Sequence, residues 1–599
     1  MPLLRALAPF VGLNLIDDAS SIRENEATQA LNVNLDKGLI TKRDGYVGVT
    51  TTSNVLGITD YRKLDGTVQQ IIKSGTDLKK LSGGTLSTIG TGLTANTLAD
   101  FAIYNDRCYL VDGKFKVTDG TNTFSPSITA PNISGLTITK EDYGLGIGGL
   151  GGTYDYKFTY KSVAWQVESP ASAVSATQEL SDQQVAFTNI PRSTDTRVDK
   201  IRIYRRKPSE QETMWFLVAE IANPGSGTAS HTDTVLDEAR DDFEFAPLSE
   251  SYVFDDLGVK HIELHNGVMF LAGDNSELYF SLPDRPTVIT DKVIIGNDAQ
   301  HGKITGLLSW QGLLYVFKED SIWSVDGLTK DTFSVNSVTR GVGCYSGQSI
   351  VPTDGAVYFL GEDSILAFDG KQVGDAGERV RPLMQSRVRN RDAFVVGEND
   401  KDNRSVIWSF TPEGETTNTK CVVFFYGNTT KADLPSWSTW EFKEAGKAAT
   451  PLQCMARVTV NASTFDRKLW YGFPAKVGEP GGVKDDSTGD FPLIWTTGKW
   501  DAETPEKYKH WGNFSIEVDR EVADFGFRAL KISALLDSSK VPLFERDRSM
   551  VRTIHTTRVR ARSRDIQLEF QHDSTSAGCT IVSFVLYGKG AGAFRARRT

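Results

Sequence analysis

The sequence predicts an all-β protein organised around a β-propeller of about seven blades, and three observations support this prediction. Residues 310–327 contain an apolar strand, a Glu-Asp-Ser turn, a second apolar strand and a closing Asp-Gly, and residues 353–370 repeat this pattern position by position. A third copy occupies residues 265–281, so the glycines that anchor the copies stand 45 and 43 residues apart, the length of one four-stranded blade. The 54 glycines and 21 prolines in 599 residues suit a turn-rich protein of this class.

Matching positions of the repeat predict matching environments. Tyr315 corresponds to Tyr358, and Ile322 corresponds to Ile365, so each pair should occupy equivalent positions in neighbouring blades. Two weaker copies precede residue 121 and two more follow residue 402, which brings the count to seven. Because one hairpin cannot bury both of its faces, the copies must be stacked or arranged in a ring.

Two other regions indicate further domains. Alternating strands between residues 153 and 221 predict an immunoglobulin- or fibronectin-like sandwich inserted between the second and third blades. New strands after residue 490 predict a C-terminal β-sandwich. The predicted order is an N-terminal segment with a hairpin (1–50), the first blades (51–130), the inserted sandwich (131–250), the remaining blades (251–490), and the C-terminal sandwich with a basic arm (491–599).

Composition and charge argue against several classes of protein. No run of about 18 apolar residues occurs, so no segment is expected to span a membrane, and the start lacks the features of a signal peptide. Five widely spaced cysteines predict small buried side chains rather than a zinc site or a disulfide framework. The net charge is −10, although residues 540–599 hold 12 Lys and Arg against 5 Asp and Glu. An acidic body with a basic end argues against a dedicated nucleic-acid-binding protein.

The N-terminal segment contains a short motif of turn residues. Residues 30–35 alternate as a strand, residues 36–38 form a turn, and residues 39–43 return toward Asp44-Gly45. The segment resembles the opening of the tail nozzle proteins of short-tailed phages, also called tail tubular protein B, and of the related phage DNA-stabilisation proteins. The matching residues are Asn32, Asn34, Gly38, Arg43, Gly45 and Tyr46, with Asn34 standing where the family more often has Asp.

This resemblance implies a function as well as a fold. It implies a β-propeller with inserted sandwiches in a sixfold ring of identical chains that extends the portal–adaptor channel of the virion. The expected partners are other copies of the chain, the head-to-tail adaptor, tail fibres or a tail needle, and phage DNA that passes without sequence recognition. The protein would be made in the host cytoplasm and would reside in the phage tail.

No catalytic, metal or cofactor site is predicted. His261 and His265 stand four residues apart, but their local pattern is a strand, so a surface or edge-strand role is expected. Gly146, Gly148 and Gly151 match a dinucleotide fingerprint only formally, because a strand follows where the helix should begin, and a flexible hinge is expected in residues 121–152. Asp241-Asp242 and Asp255-Asp256 cannot be placed across a sugar ring from sequence.

The sharpest charge feature is a run of alternating arginines in the C-terminal region. On a strand these residues share one face and form a basic stripe of Arg558, Arg560, Arg562 and Arg564. The stripe could contact an acidic protein or DNA phosphates, or it could be a solvated outer face. Between the two contacts, the acidic remainder of the chain favours the protein.

Three functions stay open at this stage. The first is a structural, non-enzymatic nozzle ring that retains and then conducts DNA. The second is an outer tail propeller that binds a receptor or anchors fibres. The third is a polysaccharide-degrading tail enzyme, against which the Glu-Asp-Ser turns count, because sialidase-type propellers have Ser-x-Asp-x-Gly-x-Thr-Trp turns instead.

Overall fold

In the computed structural model, a ring of four-stranded antiparallel sheets forms the body of the protein. The structure describes residues 3–143, 148–210, 212–239, 241–245, 258–428, 434–461, 463–482, 485–487, 489–501, 507–519, 530–536, 539–546, 554–573 and 579–590. The predicted basic arm falls largely on residues 591–599, which lie outside these ranges.

The N-terminal segment contributes six short strands to three different sheets. They are β1 (Leu3–Leu7), β2 (Gly12–Leu13), β3 (Glu26–Leu31), β4 (Val33–Asn34), β5 (Ile40–Lys42) and β6 (Tyr46–Thr51). Strands β4 and β5 pair antiparallel, as the sequence predicts for this hairpin.

The first two blades follow directly. Blade 1 consists of β7 (Val55–Arg62), β8 (Val68–Ser74), β9 (Asp77–Ser82) and β10 (Thr85–Gly90). Blade 2 consists of β11 (Asp100–Tyr104), β12 (Arg107–Val111), β13 (Phe115–Thr118) and β14 (Thr123–Phe124).

A β-sandwich is inserted after blade 2. Its strands are β15 (Thr137–Asp142), β16 (Leu150–Ser162), β17 (Val167–Glu168), β18 (Gln178–Ile190), β19 (Lys200–Arg206), β20 (Phe216–Ala222), β21 (Ala229–Asp233) and β22 (Asp241–Phe245). The long strand β16 pairs with β18 through its first part and with β19 through its second part, so it belongs to both layers. Aromatic side chains such as Tyr156, Phe158 and Phe187 fill the space between the layers.

The three clearest sequence repeats form the next three blades. Blade 3 consists of β23 (His261–His265), β24 (Val268–Ala272), β25 (Glu277–Leu282) and β26 (Arg285–Ile294). Blade 4 follows the short helix α1 (Asp298–His301) and consists of β27 (Ile304–Trp310), β28 (Leu313–Lys318), β29 (Ser321–Asp326) and β30 (Ser334–Arg340). Blade 5 consists of β31 (Val351–Pro352), β32 (Val357–Leu360), β33 (Ile365–Phe368) and β34 (Val373–Asp375).

Two further blades complete the ring. Blade 6 follows α2 (Arg381–Gln385) and consists of β35 (Val396–Asp400), β36 (Ser405–Phe410), β37 (Lys420–Phe424) and β38 (Trp437–Trp440). Blade 7 consists of β39 (Cys454–Asn461), β40 (Asp466–Gly472), β41 (Lys476–Pro480) and, as its outermost strand, β6 from the N-terminal segment. Within the described residues, six blades are separate sheets, and blade 6 is the beginning of a larger one.

The larger sheet joins the propeller to a C-terminal sandwich. The C-terminal strands are β42 (Leu493–Thr497), β43 (Lys509–Asp519), β44 (Leu530–Leu536), β45 (Ser539–Arg546), β46 (Ile554–Ser563), β47 (Gln567–His572) and β48 (Thr580–Gly590). The ten-stranded sheet runs in the order β35-β36-β37-β38-β2-β3-β42-β47-β44-β45, so β2 and β3 bridge blade 6 and the sandwich. The facing sheet contains β4, β5, β48, β43 and β46, with β1 also paired to β48.

Apolar clusters lie between neighbouring blades all around the ring. One joins blades 1 and 2, another joins blades 3 and 4, and Val55 and Trp470 belong to the cluster that joins blades 1 and 7. The five cysteines are buried, and none of them forms a disulfide. The hydrophobic surfaces of the repeats are therefore covered by the next blade, as the sequence pattern requires.

The repeat register is largely confirmed. Ile322 faces Phe317 and Ile365 faces Leu360 across the same strand pair, and both isoleucines are fully buried. Tyr315 and Tyr358 occupy matching register positions, but Tyr315 is buried and Tyr358 is only half-buried, because its neighbours belong to the different packing between blades 5 and 6.

The flexible hinge expected in residues 121–152 is wrong for the parts of that segment that belong to strands. β15 and the start of β16 lie there and are part of the inserted sandwich. The N–H groups of Gly148 and Gly149 donate to the Asp182 carboxylate at 2.9 and 2.6 Å, which fixes the turn before β16. Gly146 lies outside the described residues.

Replacing Ile322 or Ile365 with Ala should lower the free energy of unfolding by about 2–5 kcal/mol, because each side chain is fully buried between blades. Leu64→Ala is the matched control, since Leu64 is 84% exposed and its loss should change stability by less than about 0.5 kcal/mol. Chemical denaturation of the three variants measures the difference. Equal losses at Ile365 and Leu64 would contradict the blade assignment.

Candidate functional site

Three residues of the N-terminal motif, Asn32, Arg43 and Tyr46, meet in one buried cluster at the junction of the propeller and the C-terminal sandwich. We call it the Arg43 cluster and define it by Asn32, Arg43, Tyr46, Glu444 and Asp486. Arg43 and Asp486 form an ion pair of 2.6 Å in which both side chains are fully buried. Asp486 is 443 residues away in the sequence, so the pair connects the two ends of the propeller.

Every N–H group of the Arg43 guanidinium has a partner. Nη1 and Nη2 donate to the two Asp486 carboxylate oxygens at 2.9 and 2.6 Å, and Nε donates to Asn32 Oδ1 at 3.0 Å. The remaining two donors bind the carbonyl oxygens of Asp44 and Glu441 at 2.8 and 2.7 Å. A buried charge is tolerated when its partner and its hydrogen bonds are complete, and these conditions are met.

Aromatic rings cover the faces of the same guanidinium. The Arg43 Cζ atom lies 3.8 Å from the centre of the Phe491 ring and 4.5 Å from that of Phe442. Such contacts are attractive and strengthen when water is excluded. Phe442 lies in the loop after blade 6, and Phe491 lies just before β42 of the C-terminal sandwich. The guanidinium therefore contacts both regions.

The other motif residues shape this junction. Tyr46 donates to Glu444 Oε1 at 2.9 Å and stacks on Phe473 at 4.4 Å, and burial raises the pKa of its hydroxyl well above the usual value. A Cβ atom on Gly45 would lie only 1.7 Å from the Asp485 carbonyl oxygen, so only glycine fits at this position. Gly38 has φ of +73°, and Asn34 donates to Asn403 Oδ1 at 2.8 Å.

The arginine stripe lies on β46, at the edge of the facing sheet of the C-terminal sandwich. Arg558 and Arg562 are exposed, whereas Val559, Ala561 and Ser563 between them are buried, and Arg564 is exposed just beyond the strand. The side chain of Arg560 lies outside the described part of the structure. The geometry therefore places the described arginines on the solvent side of the sheet.

The sequence reasoning missed a set of carboxyl groups on the innermost strands of the propeller. Each connects its own blade to the next through a hydrogen bond from a backbone N–H or a hydroxyl. Asp100 accepts from the N–H of Ile262 at 3.1 Å, and Glu263 accepts from the N–H of Ser309. Glu398 accepts from the N–H of Arg457, and Asp60 accepts from Thr459 Oγ1 at 2.6 Å.

These carboxyl groups border the axis of the propeller. Asp60, Asp100 and Glu398 line a cavity of about 550 Å³. A second cavity of about 400 Å³ contains His261, and Leu98 and Gln348 line both cavities. The axial space is therefore polar, in contrast to the apolar clusters between blades.

Burial in the axial region shifts the protonation of these groups. It raises the pKa of Asp100 to about 6 and that of Glu398 to about 7. For Glu263, burial and then the charge of Asp100 raise the pKa to about 8. Burial lowers the pKa of His261 to about 4, so this residue is neutral at pH 7.

The remaining sequence candidates do not assemble into a site. His261 and His265 both lie on β23, and His265 Nδ1 is 2.8 Å from Ser309 Oγ. Among the described residues, no group of three or more His, Cys, Asp and Glu side chains could hold a metal ion. Asp241 and Asp242 lie on β22, and Asp255 and Asp256 lie outside the described residues.

Arg43→Gln should lower the free energy of unfolding by about 3–5 kcal/mol, because it leaves the Asp486 carboxylate buried without its cation. Arg404→Gln is the control in the same region. Its side chain is 47% exposed and pairs with Asp36, so the expected loss is below about 1 kcal/mol. Thermal unfolding of both variants provides the measurement. Similar losses of unfolding free energy in the two variants would show that the Arg43 cluster does not stabilise the fold more than an exposed ion pair does.

Glu263→Gln should make the protein more stable above pH 8 and should change little near pH 5. The pKa of Glu263 rises from 4.5 to about 8 on folding, so its stabilising contribution is complete below pH 4.5 and is lost as the pH rises through 8. The loss amounts to at most about 1.4 kcal/mol for each pH unit in this window. Melting temperatures at several pH values measure the effect, with the exposed Glu378→Gln as control. Parallel pH profiles for wild type and Glu263→Gln would refute it.

Comparisons with known proteins add little to these observations. No protein-family model matches the chain, and no curated protein matches it. Among solved structures, the computationally designed Ika8 protein is 10% identical, with a TM-score of 0.32 over 73% of this chain and 99% of Ika8. Raptor of Chaetomium thermophilum is 9% identical, with a TM-score of 0.31 over 73% of this chain and 29% of Raptor. Sqt1 of Saccharomyces cerevisiae is 10% identical, with a TM-score of 0.30 over 75% of this chain and 98% of Sqt1. These scores are too low to support an argument, so the propeller assignment rests on the strand pairings.

Proposed function

We propose that the chain is a structural virion protein that forms the nozzle ring of a phage tail. Six copies would extend the portal–adaptor channel, retain the packaged DNA and conduct it during ejection. The partners would be the neighbouring copies, the head-to-tail adaptor, tail fibres or a tail needle, and DNA in transit. The protein would act without catalysis and without a cofactor.

The observation that supports this proposal best is the Arg43 cluster. The resemblance to nozzle proteins is based on Asn32, Asn34, Gly38, Arg43, Gly45 and Tyr46. An ordinary surface hairpin would also use such turn residues, but it would have no need of a buried arginine. In this chain Arg43 uses all five of its donors at the junction of three regions, so the motif has a specific structural role that another member of such a family would need as well.

The connection between domains also suits a channel component. The ten-stranded sheet connects blade 6 to the C-terminal sandwich through β2 and β3, each of which pairs with β38 at one position. A continuous hydrogen-bonded sheet resists bending between the two domains. A ring subunit exposed to the pressure of packaged DNA would need such a rigid connection.

The charge distribution fits the same proposal. The first 539 residues have a net charge of −17, and the last 60 have a net charge of +7. An acidic wall repels the DNA backbone and lets it slide, because like charges prevent adsorption. No helix among the described residues is long and apolar enough to span a membrane.

Mass photometry should test the proposal directly. The chain has a mass of 65.9 kDa, and the expected product with its adaptor is a closed oligomer of six copies. The Arg43→Gln variant should assemble less well, because its junction is destabilised, whereas Arg404→Gln should assemble normally.

Other outcomes would favour another function. A monomer or trimer in the presence of the adaptor would overturn the ring and favour an outer receptor-binding or fibre-anchoring propeller. Release of reducing sugars from capsule or cell-wall polysaccharide would favour the enzyme.

A further inference from the structure

The outer face of the C-terminal sandwich collects basic and aromatic side chains from several strands. We call it the basic sheet face and define it by Arg5, Tyr508, His510, Arg558, Arg562, Arg564 and Tyr587, all of which are exposed. These residues come from both ends of the chain, so no single stretch of sequence shows the whole face. The arginine stripe is one edge of it.

Strand register brings several of these side chains into one row. His510 on β43 stands opposite Arg562 on β46, and it also stands opposite Lys589 on β48. Arg558 stands opposite Asn513. His510 and Arg562 are therefore neighbours on the exposed side of the sheet.

Tyr508 organises the arginines at the end of this row. The Cζ atoms of Arg562 and Arg564 each lie 5.3 Å from the centre of the Tyr508 ring. These cation–π contacts hold two guanidinium groups near each other on the surface. Tyr508 and Tyr587 are 42% and 40% exposed, so both rings reach the surface of this face.

The face is open to a large ligand. β46 is the last strand of its sheet, and in the described part of the chain no strand pairs with its outer edge. The carboxylate of Glu517 lies on the same side of the sheet, and it accepts a hydrogen bond from Ser583 Oγ at 2.9 Å. Within the described part of the chain, Arg558, Arg562 and Arg564 are exposed on this side of the sheet and can be reached by a polyanion.

We propose that the basic sheet face binds DNA through its phosphate groups, without reading the base sequence. Guanidinium groups match phosphate oxygens in charge and in hydrogen-bond geometry. Residues four apart on a strand are about 14 Å apart, so Arg558 and Arg562 present two cations along β46, and Arg564 adds a third just beyond its end. The acidic remainder of the chain would repel the same polymer and confine it to this face.

The structure favours DNA over the acidic protein partner that the sequence favoured. Besides its cations, this face presents two exposed tyrosines and a histidine on a sheet surface. Sheet surfaces with aromatic and basic side chains are a common way to bind nucleic acids. The inference rests on the proposed function only for the source of the DNA, because the chemistry of the face stands without it.

Fluorescence anisotropy of the full-length protein with a short labelled duplex, and with the matching single strand, should test the proposal. The triple variant Arg558→Gln, Arg562→Gln, Arg564→Gln should bind the duplex about tenfold more weakly or worse at low salt. The slope of log K against log salt should fall by about 2.7, since each lost phosphate contact contributes about 0.9. The triple variant with Lys at the same positions should retain most of the slope, because it keeps the charges.

The control variant changes the same number of exposed arginines on the blades: Arg62→Gln, Arg285→Gln and Arg340→Gln. It should bind DNA as wild type does. Melting temperatures should confirm that all variants are folded, because exposed arginines change stability by only about 0.5 kcal/mol each. Equal loss in the control, or an unchanged salt slope in the stripe variant, would overturn the proposal.

Ring assembly without DNA separates this inference from the proposed function. If the stripe variant forms the ring normally but has lost DNA binding, both proposals are supported. If the wild-type protein forms the ring and binds no DNA, the DNA inference fails alone. If the stripe variant loses contact with the adaptor while DNA binding is absent in wild type, the face binds an acidic protein instead.

Discussion

The structure depends on one buried charge, the guanidinium of Arg43. A cation without water must satisfy every donor, and here the partners belong to three regions that are distant in sequence. Asn32 lies in the N-terminal segment, Glu441 follows blade 6, and Asp486 precedes the C-terminal sandwich. Removing any one of these regions would leave the buried guanidinium with an unsatisfied donor, which destabilises the arrangement of the other two. The propeller and the sandwich are consequently fixed as a single unit.

A different interaction holds the blades at the axis. Between blades the contacts are apolar, but the innermost strands are joined by Asp100, Glu263 and Glu398, which accept backbone N–H groups from the following blade. A carboxyl oxygen can accept such a bond whether or not the group is protonated. Burial favours the protonated form, and the raised pKa values of these residues express that preference. Stability is therefore expected to depend on pH through these carboxyl groups.

The sequence predicted the parts of the fold that repeat. A period of about 44 residues and the buried positions of Ile322 and Ile365 follow from local patterns, and the structure agrees with them. The Arg43 cluster was visible only in part, since nothing in the sequence connects Arg43 with Asp486. The axial carboxyl groups gave no signal, because an acidic residue on a strand usually faces solvent. The glycine-rich turn at Gly148 was misjudged, because its order comes from Asp182, more than 30 residues later.

The pairing of β6 with β41 has a consequence for how the protein is made. The two strands are more than 420 residues apart, so β6 leaves the ribosome long before its partner exists. At 5–20 residues per second, the delay is roughly 20–90 s. During this time β2, β3 and β6 expose unpaired edges, which other chains could capture. Pairing of β6 with β41, which completes blade 7, must therefore wait until residue 480 has been synthesised.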